Sequence, residues 1–122
     1  MLPKVLLIED DEAIREIYAM KFELVGFSIQ VAENGQVALG KLSDFDPNFI
    51  LLDMMMPVMG GEEFLRRLGP RVHKTHVIVF SNMAGARQQD IVRRLGAEDF
   101  WVKSDYTPDL VAEELVRRWL AG

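Results

Sequence analysis

The sequence lacks cysteine and long apolar runs, and it has fewer positive than negative charges. Without cysteine, neither a disulfide framework nor a thiolate metal site can form. No apolar run approaches the roughly 20 residues that span a bilayer, and residues 1–4 do not resemble a signal peptide. We therefore expect a cytoplasmic domain that does not enter a membrane. The 14 Lys and Arg against 19 Asp and Glu give a net charge of −5, which argues against direct nucleic-acid binding.

The 122 residues suit a single domain in which apolar strands alternate with amphipathic helices. The predicted strands are Val5–Ile8, Phe27–Ala32, Phe49–Leu52, His76–Phe80 and Asp99–Val102. The predicted helices are Asp11–Leu24, Asn34–Leu42, Gly61–Leu68, Ala84–Leu95 and one that begins at Thr107 and Pro108. This alternation predicts an α/β fold in which helices cover both faces of a parallel sheet.

Periodicity also predicts which side of the first helix faces the core. Ile14, Ile17, Tyr18 and Leu24 recur near one face of that helix. A stripe of this kind is expected to pack against the sheet. These four residues are therefore predicted to form the inner face of the helix.

Polar residues stand where four of the five predicted strands end. The residues are Glu9 and Asp10 after the first strand, Asp53 after the third, Ser81 after the fourth and Lys103 after the fifth. The second strand leaves only Ala32, as expected of an edge strand. Ligands of such sheets bind beyond the carboxyl ends of the strands, so we expect the five polar residues to share one cleft.

The chemistry of this cleft is predicted to centre on Asp53. A lone Asp after a strand is usually a turn or cap residue, but five polar residues at equivalent positions indicate a functional site. Three carboxylates in one cleft repel one another unless a cation joins them, and an oxygen-only ligand set favours Mg²⁺. A carboxylate can attack phosphorus to form an aspartyl phosphate. Lys103 and Ser81 would then supply a cation and a hydroxyl for the phosphoryl oxygens.

Four stretches of the sequence resemble the receiver domain of bacterial two-component response regulators. They are VLLIEDDE (5–12), LDMMMPVMGG (52–61), VFSN (79–82) and GAEDFWVK (96–103). The resemblance extends over essentially the whole chain, in the right order and spacing. It implies a flavodoxin-like, CheY-like fold with strand order 2-1-3-4-5, and it makes residues 1–122 one receiver domain without an output domain.

The resemblance also implies roles for individual residues. Asp53 would be the phosphoacceptor, charged by a sensor histidine kinase or a phosphotransfer protein, and Lys103 would contact the phosphoryl group. Mg²⁺ would be held by Glu9, Asp10, Asp53 and the main-chain carbonyl of Met55. Such a domain would be a signalling switch that catalyses only its own phosphorylation and slow self-dephosphorylation.

Ser81 and Phe100 fall at the switch positions of the family. Phosphorylation is expected to draw Ser81 towards the phosphoryl group, and Phe100 would turn into the space that it leaves. The surface formed by the fourth helix, fifth strand and fifth helix would change as a result. A downstream protein or a fused output domain would bind that surface.

Several residues depart from the family pattern. Ser104 follows Lys103 where the family usually has a proline. Met55 and Met83 stand two residues beyond Asp53 and Ser81, where two bulky apolar side chains favour slow hydrolysis of the phosphoryl group. Glu113 replaces an arginine that many DNA-binding regulators use in dimer pairing, which argues against that dimer.

Two other functional classes remain open on the sequence. One is a receiver-like module that binds proteins without being phosphorylated, although the complete set of five polar residues argues against it. The other is a metal-dependent phosphohydrolase with Asp53 as nucleophile. Such an enzyme normally needs a second acid or base to activate water, and the residue two beyond Asp53 is Met55.

Overall fold

Five parallel strands and five α-helices alternate along the part of the chain that the computed structural model describes, residues 2–82 and 85–122. The strands are β1 (Lys4–Ile8), β2 (Ser28–Ala32), β3 (Phe49–Leu52), β4 (His76–Ser81) and β5 (Asp99–Val102). The helices are α1 (Glu12–Val25), α2 (Gly35–Lys41), α3 (Gly61–Leu68), α4 (Ala86–Arg94) and α5 (Pro108–Ala121). Short 3₁₀ helices lie at Gly69–Lys74 and Lys103–Asp105.

The strands form one sheet in the order β2-β1-β3-β4-β5, and all neighbouring strands are parallel. This confirms the predicted flavodoxin-like topology and the edge position of β2. The order reverses direction after β1, since β2 lies on one side of it and β3 on the other. The crevice at this reversal is where the fold binds ligands.

Successive side chains of each strand point to opposite faces of the sheet, so each face has its own core. Leu6, Ile50 and Val79 pack with residues of α2, α3 and α4 on one face. On the other face, Leu51 and Ile78 pack with residues of α1 and α5. The central strands are buried on both sides, which explains why their sequences are almost continuously apolar.

Polar residues cap α1, α2 and α5 close to the predicted starts of these helices. Thr107 accepts a hydrogen bond at the start of α5, and Pro108 is the first helical residue. Asp11 caps α1 by accepting from the Ile14 N–H at 3.0 Å, and Asn34 caps α2. The first and second helices therefore begin one residue later than predicted, because their first predicted residue is the cap.

The other predicted bounds agree with the structure within two residues, and those of β3, α3 and β5 are identical. α4 is described from Ala86, with Gly85 as its N-cap. The predicted start of this helix, Ala84, lies outside the described residues, as does Met83. Within the described ranges, none of the helices combines the length and the apolar character needed to cross a bilayer.

The predicted inner face of α1 is wrong at two positions. Ile17 and Leu24 are 56% and 78% exposed, whereas Tyr18 and Phe22 are buried and Ile14 packs against the same core. Ile14, Tyr18 and Phe22 are four residues apart and form one stripe of the helix. Ile17 and Leu24 lie on a neighbouring stripe that faces solvent. Periodicity alone could not decide which of two adjacent apolar stripes meets the sheet.

Candidate functional site

The polar residues at the strand ends share one cleft at the carboxyl edge of the sheet. Glu9 and Asp10 follow β1, Asp53 follows β3, Ser81 is the last residue of β4, and Lys103 follows β5. The cleft is lined by Glu9, Asp10, Asp11, Ile14, Asp53, Met55, Ser81, Asn82 and Lys103. The fold thus brings together every residue predicted for catalysis or metal binding.

Phe100, one of the two predicted switch residues, lies outside this cleft. It stands on β5 opposite Val79 of β4, and its partly buried ring packs against the core under α2, α3 and α4. Ser81, the other switch residue, is buried at 2% exposure and is paired in register with Val102. The two switch residues therefore belong to adjacent strands, one inside the cleft and one beside it.

Three carboxylates converge in the cleft. Glu9, Asp10 and Asp53 each offer an oxygen, and these oxygens lie within 4.8 Å of one another. Glu9 and Asp53 are 2% and 6% exposed, whereas Asp10 is open to solvent. An all-oxygen ligand set with one solvent-exposed side suits Mg²⁺, which keeps several waters and takes one or two carboxylates.

Lys103 bridges the two buried carboxylates. Its Nζ lies 3.2 Å from Asp53 Oδ2 and also donates to Glu9 Oε1. Burial works against the charge of the ammonium, but the hydrogen bond to Glu9 and the attraction of both carboxylates outweigh it, so the pKa of Lys103 lies above its usual value. Lys103 therefore stays charged, and its ammonium reaches the proposed nucleophile.

Glu9 shows that one ammonium does not balance the buried negative charge. Burial raises the pKa of the Glu9 carboxyl to about 7, and the nearby charge of Asp53 raises it further, although hydrogen bonds from Lys103 and the Asp11 N–H oppose the change. A second cation among the carboxylates would favour the ionised form of Glu9, as Lys103 does. The electrostatics of the cleft thus fit the predicted magnesium site.

Two side chains missed by the sequence analysis hold the loops around the cleft. Arg15 of α1 donates from Nη1 to the main-chain carbonyls of Glu9 and Asp10, at 2.8 and 3.4 Å. Asn82 lines the cleft, and its Oδ1 accepts a hydrogen bond from the Ser104 N–H at 2.9 Å. Neither contact has a signal in the sequence, because each depends on the path of a loop.

The loop that follows Asp53 is sharply bent. Val58 has φ +68°, a left-handed conformation that β-branched residues rarely adopt, and the Met59 N–H donates to the Pro57 carbonyl at 2.7 Å across this residue. The Gly61 N–H then donates to the Met54 carbonyl at 3.1 Å. These bonds fold the loop back beneath Asp53 and begin α3 directly behind it.

The cleft holds the kinds of groups that a phosphoryl group and a divalent cation would need. It combines the buried carboxylate of Asp53, a charged ammonium at hydrogen-bonding distance, a hydroxyl and two further carboxylates. Phosphoryl transfer depends mainly on positioning and on the neutralisation of charge. This arrangement supplies both.

Comparison with known proteins identifies the relatives of this chain. The sequence profile of the response regulator receiver domain matches residues 5–113. The cell cycle response regulators CtrA of Brucella ovis and Brucella canis are each 39% identical over 121 residues, which cover 94% of this chain and 50% of the relative. The chain thus spans about half the length of the curated relatives it matches.

Solved structures show the same fold. The receiver domain of the Francisella response regulator 1452 superimposes with a TM-score of 0.83 at 28% identity, over 94% of both chains. The receiver domain of a putative LuxO repressor from Vibrio parahaemolyticus gives 0.81 at 28% identity, over 99% of this chain and 95% of that one. The chemotaxis regulator CheY4 of Vibrio cholerae gives 0.85 at 24% identity, over 96% and 98%, and shows the fold alone.

Proposed function

This chain belongs to the response regulator receiver domains, the signalling switches of two-component systems, and we propose that Asp53 is its phosphoacceptor. Membership of the family implies a histidine kinase or phosphotransfer protein as the donor. The observation that carries the assignment to Asp53 is the contact of its buried carboxylate with Lys103, in a cleft that also contains Glu9 and Asp10. In this proposal, residues 1–122 form one receiver domain.

The transfer is a displacement at phosphorus. A carboxylate oxygen of Asp53 forms the new P–O bond while the P–N bond to the phosphohistidine of the donor breaks. The electron pair of the broken bond stays on the imidazole, which leaves as the neutral base if it entered protonated. With a small acyl phosphate, a P–O bond breaks instead and a carboxylate leaves.

Lys103 has a defined part in this step. Its ammonium is already beside Asp53, so it can stabilise the negative charge on the phosphoryl oxygens without rearrangement. The acyl phosphate carries about 1.5 to 2 negative charges where the Asp53 carboxylate carried one, and Lys103 then exchanges its bond to the carboxylate for one to the phosphoryl group. The Ser81 hydroxyl would donate to a second phosphoryl oxygen.

Glu9, Asp10, Asp53 and the main-chain carbonyl of Met55 would hold Mg²⁺. When bound, this ion neutralises charge on the phosphoryl oxygens. Glu9 must be ionised to serve as a ligand, and the hydrogen bond from the Asp11 N–H at 3.1 Å favours that form. Arg15 would keep the Glu9 and Asp10 backbone in place.

The output of the switch is proposed to be a change of the α4–β5–α5 surface. Movement of Ser81 towards the phosphoryl group would leave space beside β4, and Phe100 on the adjacent strand would turn into it. The buried position of Ser81 and the partly buried ring of Phe100 support this coupling. A downstream protein or a fused output domain, rather than nucleic acid, would bind the altered surface. The cytoplasmic location stays a prediction.

Intact mass spectrometry after incubation with Mg²⁺ and acetyl phosphate tests the proposal. We expect a single phosphoryl adduct on the parent and on Asp44→Asn, a matched loss of an exposed carboxylate away from the cleft. No adduct is expected on Asp53→Asn or on the parent with a metal chelator in place of Mg²⁺.

An adduct on Asp53→Asn equal to that of the parent would refute the assignment. A parent that takes up no phosphoryl group would indicate a module that binds proteins without phosphorylation. Rapid multiple-turnover release of phosphate without accumulation of the adduct would indicate a phosphohydrolase. The proposed domain would release its phosphoryl group slowly and only once for each transfer.

A further inference from the structure

A hydrogen bond joins the loop after β4 to the loop after β5. The side-chain Oδ1 of Asn82 accepts from the backbone N–H of Ser104 at 2.9 Å, across 22 residues of sequence. Asn82 directly follows Ser81, and Ser104 directly follows Lys103. The bond therefore connects the two loops that carry the hydroxyl and the ammonium of the cleft.

This bond requires a residue other than proline at position 104. Only a residue other than proline has the backbone N–H that Asn82 accepts. Ser104 lies in the 3₁₀ turn Lys103–Asp105, which the Tyr106 N–H closes by donating to the Lys103 carbonyl at 3.1 Å. The first N–H groups of a helical turn have no partner within the turn, and Asn82 supplies one of the missing acceptors.

The position of Lys103 depends on this turn. Its Nζ reaches Asp53 Oδ2 at 3.2 Å from a backbone that begins the 3₁₀ turn. The lysine ammonium stands at the end of a flexible four-carbon side chain. Its position relative to Asp53 therefore depends on where the Lys103 backbone is held. Anchoring the next residue limits the movement of that backbone relative to β4.

We propose that Asn82 is a positioning residue for phosphoryl transfer: through the Ser104 N–H it holds the turn that places the Lys103 ammonium beside Asp53. This inference rests on the proposed function, because Lys103 acts on a phosphoryl group only if Asp53 receives one. Asn82 acts through the backbone N–H of Ser104. The Ser104 side chain is exposed and is not involved in this bond.

The test compares four variants with the parent by the initial rate of phosphorylation from acetyl phosphate. Asn82→Ala removes the acceptor, and Ser104→Ala keeps the backbone N–H as the matched control. Ser104→Pro removes the donor and also restricts Lys103, so it serves only as a background for the fourth variant, Asn82→Ala with Ser104→Pro. Urea unfolding confirms that each variant is folded.

We expect Asn82→Ala to slow phosphorylation by about twofold to tenfold, the range equivalent to one net hydrogen bond. Ser104→Ala should match the parent. In the Ser104→Pro background, Asn82→Ala should have no further effect, because the bond is already absent. Mg²⁺ affinity, measured by calorimetric titration, should change by less than about twofold in Asn82→Ala, since the proposed ligands lie in the loops after β1 and β3, whereas Asn82 lies in the loop after β4.

Three results would overturn the inference. A parent that forms no adduct would refute the proposed function together with the positioning role. An initial rate of phosphorylation that is the same in Asn82→Ala as in the parent would refute the positioning role alone. An equal loss of rate on Asn82→Ala in the parent and in the Ser104→Pro background would show that Asn82 acts by another route than this bond.

Discussion

Gly61 packs directly against the backbone that carries the proposed phosphoacceptor, and Gly61→Ala is expected to disturb both stability and phosphorylation. A Cβ at this position would lie 2.6 Å from the Asp53 carbonyl oxygen and 2.9 Å from Met54 Cα. It would also lie 2.7 Å from Met54 Sδ, which is the end of a flexible side chain and can move. The backbone atoms can make room only if the loop after β3 shifts.

The expected destabilisation is the difference of two effects. Overpacking of a closely packed site costs about 1 to 3 kcal/mol, while the loss of glycine freedom in the unfolded chain stabilises by about 0.4 to 1 kcal/mol. The free energy of unfolding should therefore fall by about 1.3 kcal/mol, the difference of the central values, which lowers Tm by about 5 °C in a domain of this size. Phosphorylation should also slow, because displacement of Asp53 disturbs its alignment with Lys103.

Gly40→Ala is the matched control. Gly40 lies in α2, and nothing stands within 4 Å of a Cβ at this position. The alanine should stabilise the protein by up to about 1 kcal/mol through its helix propensity. Urea unfolding followed by tryptophan fluorescence measures both variants. If Gly61→Ala proved as stable as Gly40→Ala, the close approach of α3 to the Asp53 backbone would be wrong.

Three further predictions concern the cleft and the surface beside it. Met55→Asn should shorten the lifetime of the phosphoryl group, because a polar side chain can orient water beside the acyl phosphate. An unchanged lifetime, measured by mass spectrometry as the adduct decays, would refute this prediction. Val58→Gly should raise the free energy of unfolding by about 1 kcal/mol, since relief of the left-handed strain exceeds the entropy that glycine loses; a loss of stability in urea would contradict that strain. Burial alone would raise the pKa of Asp99, but hydrogen bonds from the Phe100 N–H and from Arg118 more than offset it, so the pKa lies below its usual value. Ionised Asp99 therefore stabilises the fold at neutral pH. The stability difference between the parent and Asp99→Asn should shrink below about pH 4, where the unfolded state takes up the proton before the folded state does. A difference that stayed constant to pH 3 would refute the lowered pKa of Asp99.

The alternation of strands and helices was predictable because the signals for it are local, whereas the strand order was implied by the resemblance to the receiver family. Four of the five strands are short apolar runs that end at a polar residue. Caps such as Thr107 with Pro108 mark where helices begin. A parallel α/β sheet then brings the carboxyl ends of its strands to one edge, whatever the details of packing. For this reason Glu9, Asp53 and Lys103 could be assigned to one cleft before any distance was known.

The inner face of α1 was not predictable in the same way. Ile14, Ile17 and Leu24 are all apolar, and a helical period allows more than one of its stripes to face the core. The structure places Phe22 fully inside and leaves Leu24 mostly exposed. That choice depends on how α1 lies between the sheet and α5, which involves residues far apart in the sequence.

The sequence by itself determined the alternation of strands and helices, the residues that end each strand and the kinds of chemistry that those residues can perform. Only the tertiary structure decided that Lys103 contacts both Asp53 and Glu9, and that Asn82 accepts a bond from the Ser104 backbone. The reason is physical: residue type and period are properties of neighbouring residues, whereas these contacts depend on the paths of loops that packing brings together across 22 or more residues.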